Sequence, residues 1–223
     1  MSTVKTDGLT AQNLLPPSTL GFVVLAGGSS TRMGVNKALL PVSPGREETL
    51  LDHAYALGQT ILERYGQDVN QLFVSGEYSK YRAIKDTTEK CGPLGGVLSV
   101  LSYQLAQTQR KLAFALFSPV DMPDLSAELL SQLVEIGIRE RRVCYFREFY
   151  LPFFLPIQKD IAERLMLQIK ETGREAGTFS LRSFLAANNA LEIETPKDFA
   201  TEFINLNTPQ EFGSWRSALS LKH

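Results

Sequence analysis

The chain contains 223 residues, of which 43% are apolar and 21% are charged. These proportions are typical of a globular domain, and they exclude an intrinsically disordered chain, a collagen and a coiled-coil rod. The 23 basic and 24 acidic residues leave a formal net charge of −1, which favours neither nucleic acid nor an acidic membrane surface as a partner.

The cysteines and the apolar runs bear on the cellular compartment. Cys91 and Cys144 are the two cysteines, and neither belongs to a CxxC pair. This usage is typical of a reducing compartment, so we expect a cytoplasmic protein. Residues 1–19 lack the apolar stretch of a signal peptide and are expected to form a flexible arm. The most apolar run, at residues 112–117, is too short to span a membrane, and we expect one domain over residues 20–223.

The hydrophobic pattern predicts strands that alternate with helices along the first two thirds of the chain. The opening run at residues 21–26 is apolar throughout, as in a strand that is buried on both faces. Strands are predicted at 21–26, 71–75 and 111–117, and helices at 49–65, 93–107 and 126–139. Because parallel neighbours need crossover connections, this order predicts an α/β fold: a Rossmann-like three-layer sandwich with a mostly parallel twisted sheet and helices on both faces.

The last third of the chain has a less regular pattern. A strand pair is predicted at residues 142–146 and 150–157, and edge strands are predicted at 190–195 and 202–206. Helices are predicted at 159–171, 178–187 and 209–218.

A glycine-rich loop follows the first predicted strand. Gly27 and Gly28 lack Cβ atoms, so the backbone N–H groups of this loop can approach a phosphate closely. The loop fits neither the G-x-x-x-x-G-K-[ST] pattern nor the G-x-G-x-x-G pattern. Two cations, Arg32 and Lys37, follow instead. Together with a metal ion they would balance the charge of a triphosphate and the charge that develops during phosphoryl transfer.

Asp121 is the candidate metal ligand. It follows the predicted strand at 111–117, so its carboxylate is expected at the carboxyl edge of the sheet, where Gly27 and Gly28 also emerge. Mg²⁺ prefers one or two carboxylates together with phosphate oxygens and water. The alternative is that Asp121 only caps the turn before the next helix. The presence of the glycine loop favours the metal role.

Four motifs occur in an order that resembles a known family. They are LAGGxSxRMGxxKALL from Leu25, GPLGG from Gly92, PVDMP from Pro119 and NxNTP from Asn205. This order resembles the molybdenum cofactor guanylyltransferases, the MobA-type nucleotidyltransferases. The resemblance implies transfer of GMP from GTP to the terminal phosphate of molybdopterin, with Mg²⁺ required and pyrophosphate released. It also implies transient contact with molybdoenzymes or cofactor-delivery proteins.

The resemblance implies roles for individual residues. Arg32, Lys37 and Asp121 match catalytic positions, and Asp121 also matches the magnesium ligand. Asn205 and Asn207 are expected to contact the acceptor. The expected nucleotide-binding residues are Leu25, Ala26, Gly27, Gly28, Lys37, Ser75, Asp86, Gly92, Pro93, Leu94 and Asp121.

Some of these residues also have a local structural interpretation. For Asp86, the alternative to nucleotide binding is a purely structural role in a turn. For Gly92–Gly96, the alternative is the start of a helix, although a backbone with so few side chains also leaves room for a flat nucleobase. Thr208 and Glu211 have the spacing of a capping box. Asn205 and Asn207 would point to one face of an extended segment, where both amides could meet one ligand.

Two departures from the family pattern leave the base specificity open. Asn36 stands where the family commonly has aspartate. Ser75 stands where it often has asparagine, and a hydroxyl cannot offer the paired donor and acceptor of an amide. The alternatives are therefore a related transferase that uses CTP or another NTP, with a molybdopterin, sugar-phosphate or alcohol-phosphate acceptor, or a non-catalytic module that binds nucleotide or cofactor.

Overall fold

The computed structural model describes residues 16, 19–27, 35–43, 47–88, 91–108, 111–172 and 180–220. The strands are β1 (Leu20–Leu25), β2 (Leu72–Ser75), β3 (Ala83–Ile84), β4 (Phe114–Pro119), β5 (Cys144–Phe146), β6 (Phe149–Pro156) and β7 (Leu191–Ile193). The α-helices are α1 (Leu50–Arg64), α2 (Pro93–Ala106), α3 (Ala127–Glu140), α4 (Lys159–Thr172), α5 (Leu181–Ala187) and α6 (Pro209–Ser220). Within the ranges given, none of the helices has both the length and the apolar character needed to cross a membrane.

The strands form one sheet in the order β3-β2-β1-β4-β6-β5-β7. β1 lies between β2 and β4 and is parallel to both. The pairs β2–β3 and β5–β7 are also parallel, whereas β6 runs antiparallel to β4 and β5. Four of the six pairings are therefore parallel, and the predicted α/β fold is confirmed.

The sheet separates two apolar cores. Phe22 and Val24 of β1 point to one face, where they join a core that includes α1 and α3. Val23 and Leu25 point to the other face and join a core that includes α2, α4 and α5. All six residues of β1 are buried, which explains why its sequence is continuously apolar. The predicted arrangement of helices on both faces is confirmed.

Local capping interactions fix the ends of the helices that flank the site. Thr49 caps α1: Asp52 N donates to Thr49 Oγ1 (3.1 Å), and Thr49 N donates to Asp52 Oδ2 (2.9 Å). At α6, Glu211 N donates to Thr208 Oγ1 (3.2 Å), and Thr208 N donates to Glu211 Oε2 (2.8 Å). The capping box that the sequence predicts before α6 is therefore confirmed.

One predicted strand is wrong, and one strand of the described residues was not predicted. Residues 202–206 do not form an edge strand, because Lys197–Phe203 form a 3₁₀ helix whose buried Phe203 ring stacks on Phe149 at a centroid distance of 3.9 Å. β3 has two residues, too few for a periodic signal. The other predicted elements are confirmed with ends displaced by at most three residues. Apart from Pro16 and Thr19, the predicted arm at 1–19 lies outside the described residues.

Gly137 on α3 offers a test of the packing between this helix and β6. A Cβ atom at Gly137 would lie 2.6 Å from Phe154 Cε1, and closer still to Cδ1 and Cγ, while Phe154 itself is fully buried. We therefore expect Gly137→Ala to lower the free energy of unfolding by about 2 kcal/mol through overpacking, although alanine is the better helix former.

Urea denaturation measures this effect, and Gly213→Ala in α6 is the matched control. A Cβ atom at Gly213 would have no heavy atom within 4 Å, so the control should be neutral or slightly more stable than the wild type. An unchanged urea midpoint for Gly137→Ala would contradict the packing described here.

Candidate active site

The carboxyl ends of β1 and β4 lie side by side in the middle of the sheet. Leu25 is opposite Pro119 in the parallel register, and Val120 N donates to Leu25 O at 3.2 Å. The segments that leave these two strands are therefore adjacent. Asp121 follows Val120 directly, and its side chain is 13% exposed. The sequence-based placement of Asp121 at this edge is correct.

Lys37 meets Asp121 across this edge. It lies on the 3₁₀ helix Lys37–Leu39, and its ammonium forms an ion pair with Asp121 Oδ2. Lys37 Nζ also lies 3.4 Å from Asn207 Oδ1. Leu206 N donates to Asp121 O at 2.8 Å, which brings the NxNTP segment to the same place. The structure thus gathers one cation, one carboxylate and one amide from three distant segments.

The end of β2 completes the edge on the other side of β1. Gly27 N donates to Ser75 Oγ at 3.3 Å. A Cβ atom at Gly27 would lie 3.2 Å from Asp86 Cγ and closer still to Oδ2. A Cβ atom at Gly96 would lie 2.6 Å from Ser75 Oγ. Glycine at positions 27 and 96 therefore allows the Ser75 and Asp86 side chains to approach the backbone closely, and these predicted residues lie together.

The Asp86 carboxyl group is electrostatically unusual. Its Oδ1 atom is buried and has no hydrogen-bond partner within the described parts of the chain. Burial also raises the pKa of this carboxyl group, because the charged form loses solvation. A buried polar atom without a partner is unfavourable. An N–H or O–H donor brought by a ligand would remove this penalty, and such chemistry suits a binding residue.

The GPLGG segment starts α2. Gly92 precedes the helix with a positive φ of 55°, and Pro93 occupies its first turn, as the helix-start interpretation predicts. The Leu94 side chain belongs to the core and is 1% exposed. The side chains of Leu25 and Ala26 are likewise buried. A ligand at this edge can therefore meet these residues mainly through their backbone.

Three of the predicted residues remain, Gly28, Arg32 and Asn205. Gly28 and Arg32 lie outside the described residues, so the second glycine of the pair and one of the two cations have no position here. Asn205 does not share the contact that Asn207 makes with Lys37. The Oδ1 atom of Asn205 is instead buried, and no hydrogen-bond partner for it occurs in the described chain.

Tyr78 lies at this edge and was not predicted. Its hydroxyl donates to Ala26 O at 2.9 Å and accepts from Asn36 Nδ2 at 3.2 Å. It belongs to none of the four motifs. The only signal in the sequence is the glycine two positions before it, Gly76, which marks a turn after β2.

The oxygen donors around Lys37 suit a magnesium ion. The carboxylate of Asp121 and the amide oxygen of Asn207 are hard ligands of the kind that Mg²⁺ prefers. Where the structure describes the chain, no group of three or more His, Cys, Asp or Glu side chains forms a metal cage. A magnesium ion at Asp121 would therefore need phosphate oxygens and water to complete its coordination, which is its usual arrangement at nucleotides.

Comparison with known proteins agrees with this geometry. A family model described as the MobA-like NTP transferase domain matches residues 22–189. The molybdenum cofactor guanylyltransferase of Xanthomonas euvesicatoria pv. vesicatoria is 35% identical over 193 residues, which cover 85% of this chain and 90% of that protein. The molybdenum cofactor guanylyltransferase of a Yersinia pseudotuberculosis strain is 28% identical over 208 residues, which cover 86% of this chain and 93% of that protein.

A solved structure has the same fold. The crystal structure of molybdopterin-guanine dinucleotide biosynthesis protein A from Archaeoglobus fulgidus matches with a TM-score of 0.66 and 19% identity, over 90% of this chain and 99% of that chain. The segment that the family model matches begins in β1 and ends after α5, so it contains Lys37, Asp86 and Asp121. The resemblance carried by the four motifs is thus confirmed, and the chain belongs to the MobA-like NTP transferase domain family.

Proposed function

We propose that this protein transfers GMP from GTP to molybdopterin, forming the molybdopterin guanine dinucleotide cofactor and pyrophosphate. The observation that carries the proposal is the pairing of Lys37 with Asp121 beside Gly27, at the sheet edge where α/β proteins bind ligands. The names of the relatives that cover most of the chain support GTP and molybdopterin as the substrates. Nucleotidyl transfer is the chemistry of the family to which the chain belongs.

The proposed reaction is an in-line displacement at the α-phosphorus of GTP. A bond forms between an oxygen of the acceptor phosphate and the α-phosphorus, and the bond to the β-phosphate oxygen breaks as pyrophosphate leaves. A phosphate acceptor is already ionised at neutral pH, so no protein base is needed. The work left for the protein is to position the reactants and to stabilise the charge on the phosphate oxygens.

Lys37 and Asp121 are assigned to the triphosphate. The Lys37 ammonium would contact phosphate oxygens and balance the negative charge that develops on them. Asp121 would hold Mg²⁺, which supplies a second positive charge on the phosphates. Arg32 is expected to add a third. Asn205 and Asn207 are assigned to the acceptor, because Asn207 already lies next to the Lys37 ammonium.

The other half of the edge is assigned to the nucleoside. The backbone from Leu25 to Gly28 and from Gly92 to Leu94 would accommodate the base and ribose at short range. Asp86 would accept a hydrogen bond from an N–H or O–H group of the nucleoside, which would provide a partner for its buried oxygen. Ser75 is expected to help hold the base.

Pyrophosphate release tests this proposal directly. We expect Mg²⁺-dependent release from GTP that requires molybdopterin and exceeds release from CTP, ATP and UTP by at least about tenfold. Faster release from CTP, or release with a sugar phosphate or an alcohol phosphate in place of molybdopterin, would select a related transferase. Tight nucleotide binding without release under any of these conditions would select the non-catalytic module.

A further inference from the structure

A chain of three hydrogen bonds connects the end of β1 to the turn that carries Lys37. The Tyr78 hydroxyl donates to Ala26 O at 2.9 Å. Asn36 Nδ2 donates to the same hydroxyl at 3.2 Å. Asn36 Oδ1 then accepts from Ala38 N at 3.1 Å and caps the 3₁₀ helix on which Lys37 lies. The Lys37 backbone is therefore held to the sheet through two side chains.

The Tyr78 hydroxyl also lies 3.4 Å from Asn36 Oδ1, but its hydrogen points to the nearer Ala26 O, which leaves Asn36 Nδ2 as the donor to the hydroxyl. A tyrosine hydroxyl has one hydrogen, and an asparagine amide offers both a donor and an acceptor. A tyrosine hydroxyl keeps its hydrogen at neutral pH, and burial raises the pKa of Tyr78 further. An aspartate at position 36 cannot donate. Its carboxylate would compete with Ala26 O for the single hydrogen of Tyr78.

The turn after β2 brings Tyr78 into place. Gly76 has a φ of +114°, a backbone conformation that residues with a side chain rarely adopt. A Cβ atom at Gly76 would lie 2.9 Å from Tyr78 Cε2. Gly76 N also donates to Ile84 O at 2.9 Å, which fixes the turn to the edge strand. The Tyr78 ring thus folds back over the turn and towards β1.

We propose that Tyr78 is a positioning residue for Lys37 and that Asn36 is its matched partner. The Tyr78 hydroxyl orients the Asn36 side chain, Asn36 caps the turn, and the turn directs the Lys37 ammonium towards Asp121. This inference rests on the proposed function, because it gives Lys37 its role at the triphosphate. A charge that is already in position needs no reorganisation during the reaction, and a small displacement of it lowers the rate.

Tyr78→Phe removes only the hydroxyl and tests the proposal. We expect kcat for pyrophosphate release to fall about tenfold, with KM for GTP within about twofold of the wild type. Tyr81→Phe is the matched control. Tyr81 lies in the same loop, and its hydroxyl bonds Asp52 Oδ1 at 2.6 Å at the start of α1, so kcat should stay within about twofold of the wild type. A wild-type kcat for Tyr78→Phe would overturn the proposal.

Amide hydrogen exchange gives a readout that does not depend on activity. In Tyr78→Phe we expect the amide of Ala38 to exchange about tenfold faster than in the wild type, and in Tyr81→Phe to exchange at the wild-type rate. Unchanged exchange at Ala38 in Tyr78→Phe would overturn the proposal even if turnover fell. If the wild type released no pyrophosphate from GTP, the proposed function would fail, while the exchange rates would still decide the positioning role.

Asn36→Asp tests whether the two residues act as a pair. Alone it should reduce kcat about as much as Tyr78→Phe does, because aspartate keeps the acceptor for Ala38 N but loses the donor to Tyr78. In the Tyr78→Phe background it should have little further effect, because the connection is already broken. Additive losses in the double variant would show that the two side chains act independently and would overturn the matched pair.

Discussion

Replacement of Asp121 by asparagine is expected to lower kcat for pyrophosphate release about 10³-fold. Asparagine keeps the shape of the side chain but removes the negative charge, which pairs with Lys37 and to which the proposed mechanism assigns Mg²⁺. The fold should remain intact, because the Asp121 carbonyl still accepts from Leu206 N and the side chain retains an oxygen towards Lys37. Steady-state release at saturating Mg²⁺ and GTP measures the loss, and near-ultraviolet circular dichroism checks the fold.

Asp124→Asn is the matched control for this variant. Asp124 lies three positions further along the same segment, and its Oδ1 atom accepts from Trp215 Nε1 at 3.0 Å. The amide oxygen of asparagine can accept the same bond, so turnover should stay within about twofold of the wild type. Wild-type turnover by Asp121→Asn would exclude Asp121 as the metal ligand.

Replacement of Lys37 by methionine is expected to lower kcat/KM for GTP about 10²-fold. Methionine keeps an unbranched apolar side chain but cannot stabilise the charge on the phosphate oxygens. Steady-state kinetics over a range of GTP concentrations measure the effect. In Lys37→Met with Asp121→Asn, we expect a loss well below the product of the two single losses, because the two residues act as a unit.

Lys80→Met is the control for the change in net charge. Lys80 pairs with Asp52, but its side chain is 71% exposed, so the pair contributes little and kcat/KM should stay within about twofold of the wild type. An equal loss of kcat/KM in Lys37→Met and Lys80→Met would show that the effect comes from the net charge of the protein rather than from the site.

The central part of the site was predictable because parallel strands determine it. β1 is apolar throughout and β4 is apolar from Phe114 to Phe117, and such runs are recognised from sequence. Parallel strands carry their following loops to one edge, so Asp121 was expected near the loop after β1. Lys37 pairs with Asp121 there, although 84 positions separate them. The other contacts of these residues were harder to predict from the sequence. The Leu206 N to Asp121 O bond joins two irregular segments, and irregular segments have no period that pairs them.

The NxNTP segment shows that a local role and a site role can coexist. The Glu211 carboxylate accepts from both Asn207 N and Thr208 N at 2.8 Å, which completes the cap of α6. The same bonds fix the backbone of Asn207, whose side chain reaches Lys37 Nζ. The capping box followed from sequence spacing alone. The contact with Lys37 depends on the tertiary fold and was not predicted, because the family resemblance implied only a role for Asn207 at the acceptor.

The hydrogen bond between Tyr78 and Asn36 could not be predicted from the sequence, for a physical reason. The two residues are separated by 42 positions, and Tyr78 depends on a positive φ at Gly76. A glycine marks a turn but does not determine which side chain folds back over it. The departure at Asn36 was visible in the sequence, but its effect on hydrogen bonding required the position of Tyr78.

A crystal structure of the protein with GTP and Mn²⁺, with the metal located by anomalous scattering, tests the central claim most directly. The claim is that one nucleoside triphosphate binds between the loop after β1 and Asp121. We predict a manganese peak in contact with the Asp121 carboxylate and a phosphate oxygen about 2.7–3.2 Å from Lys37 Nζ. A triphosphate and metal bound at another edge of the sheet, with Lys37 and Asp121 paired only to each other, would contradict it.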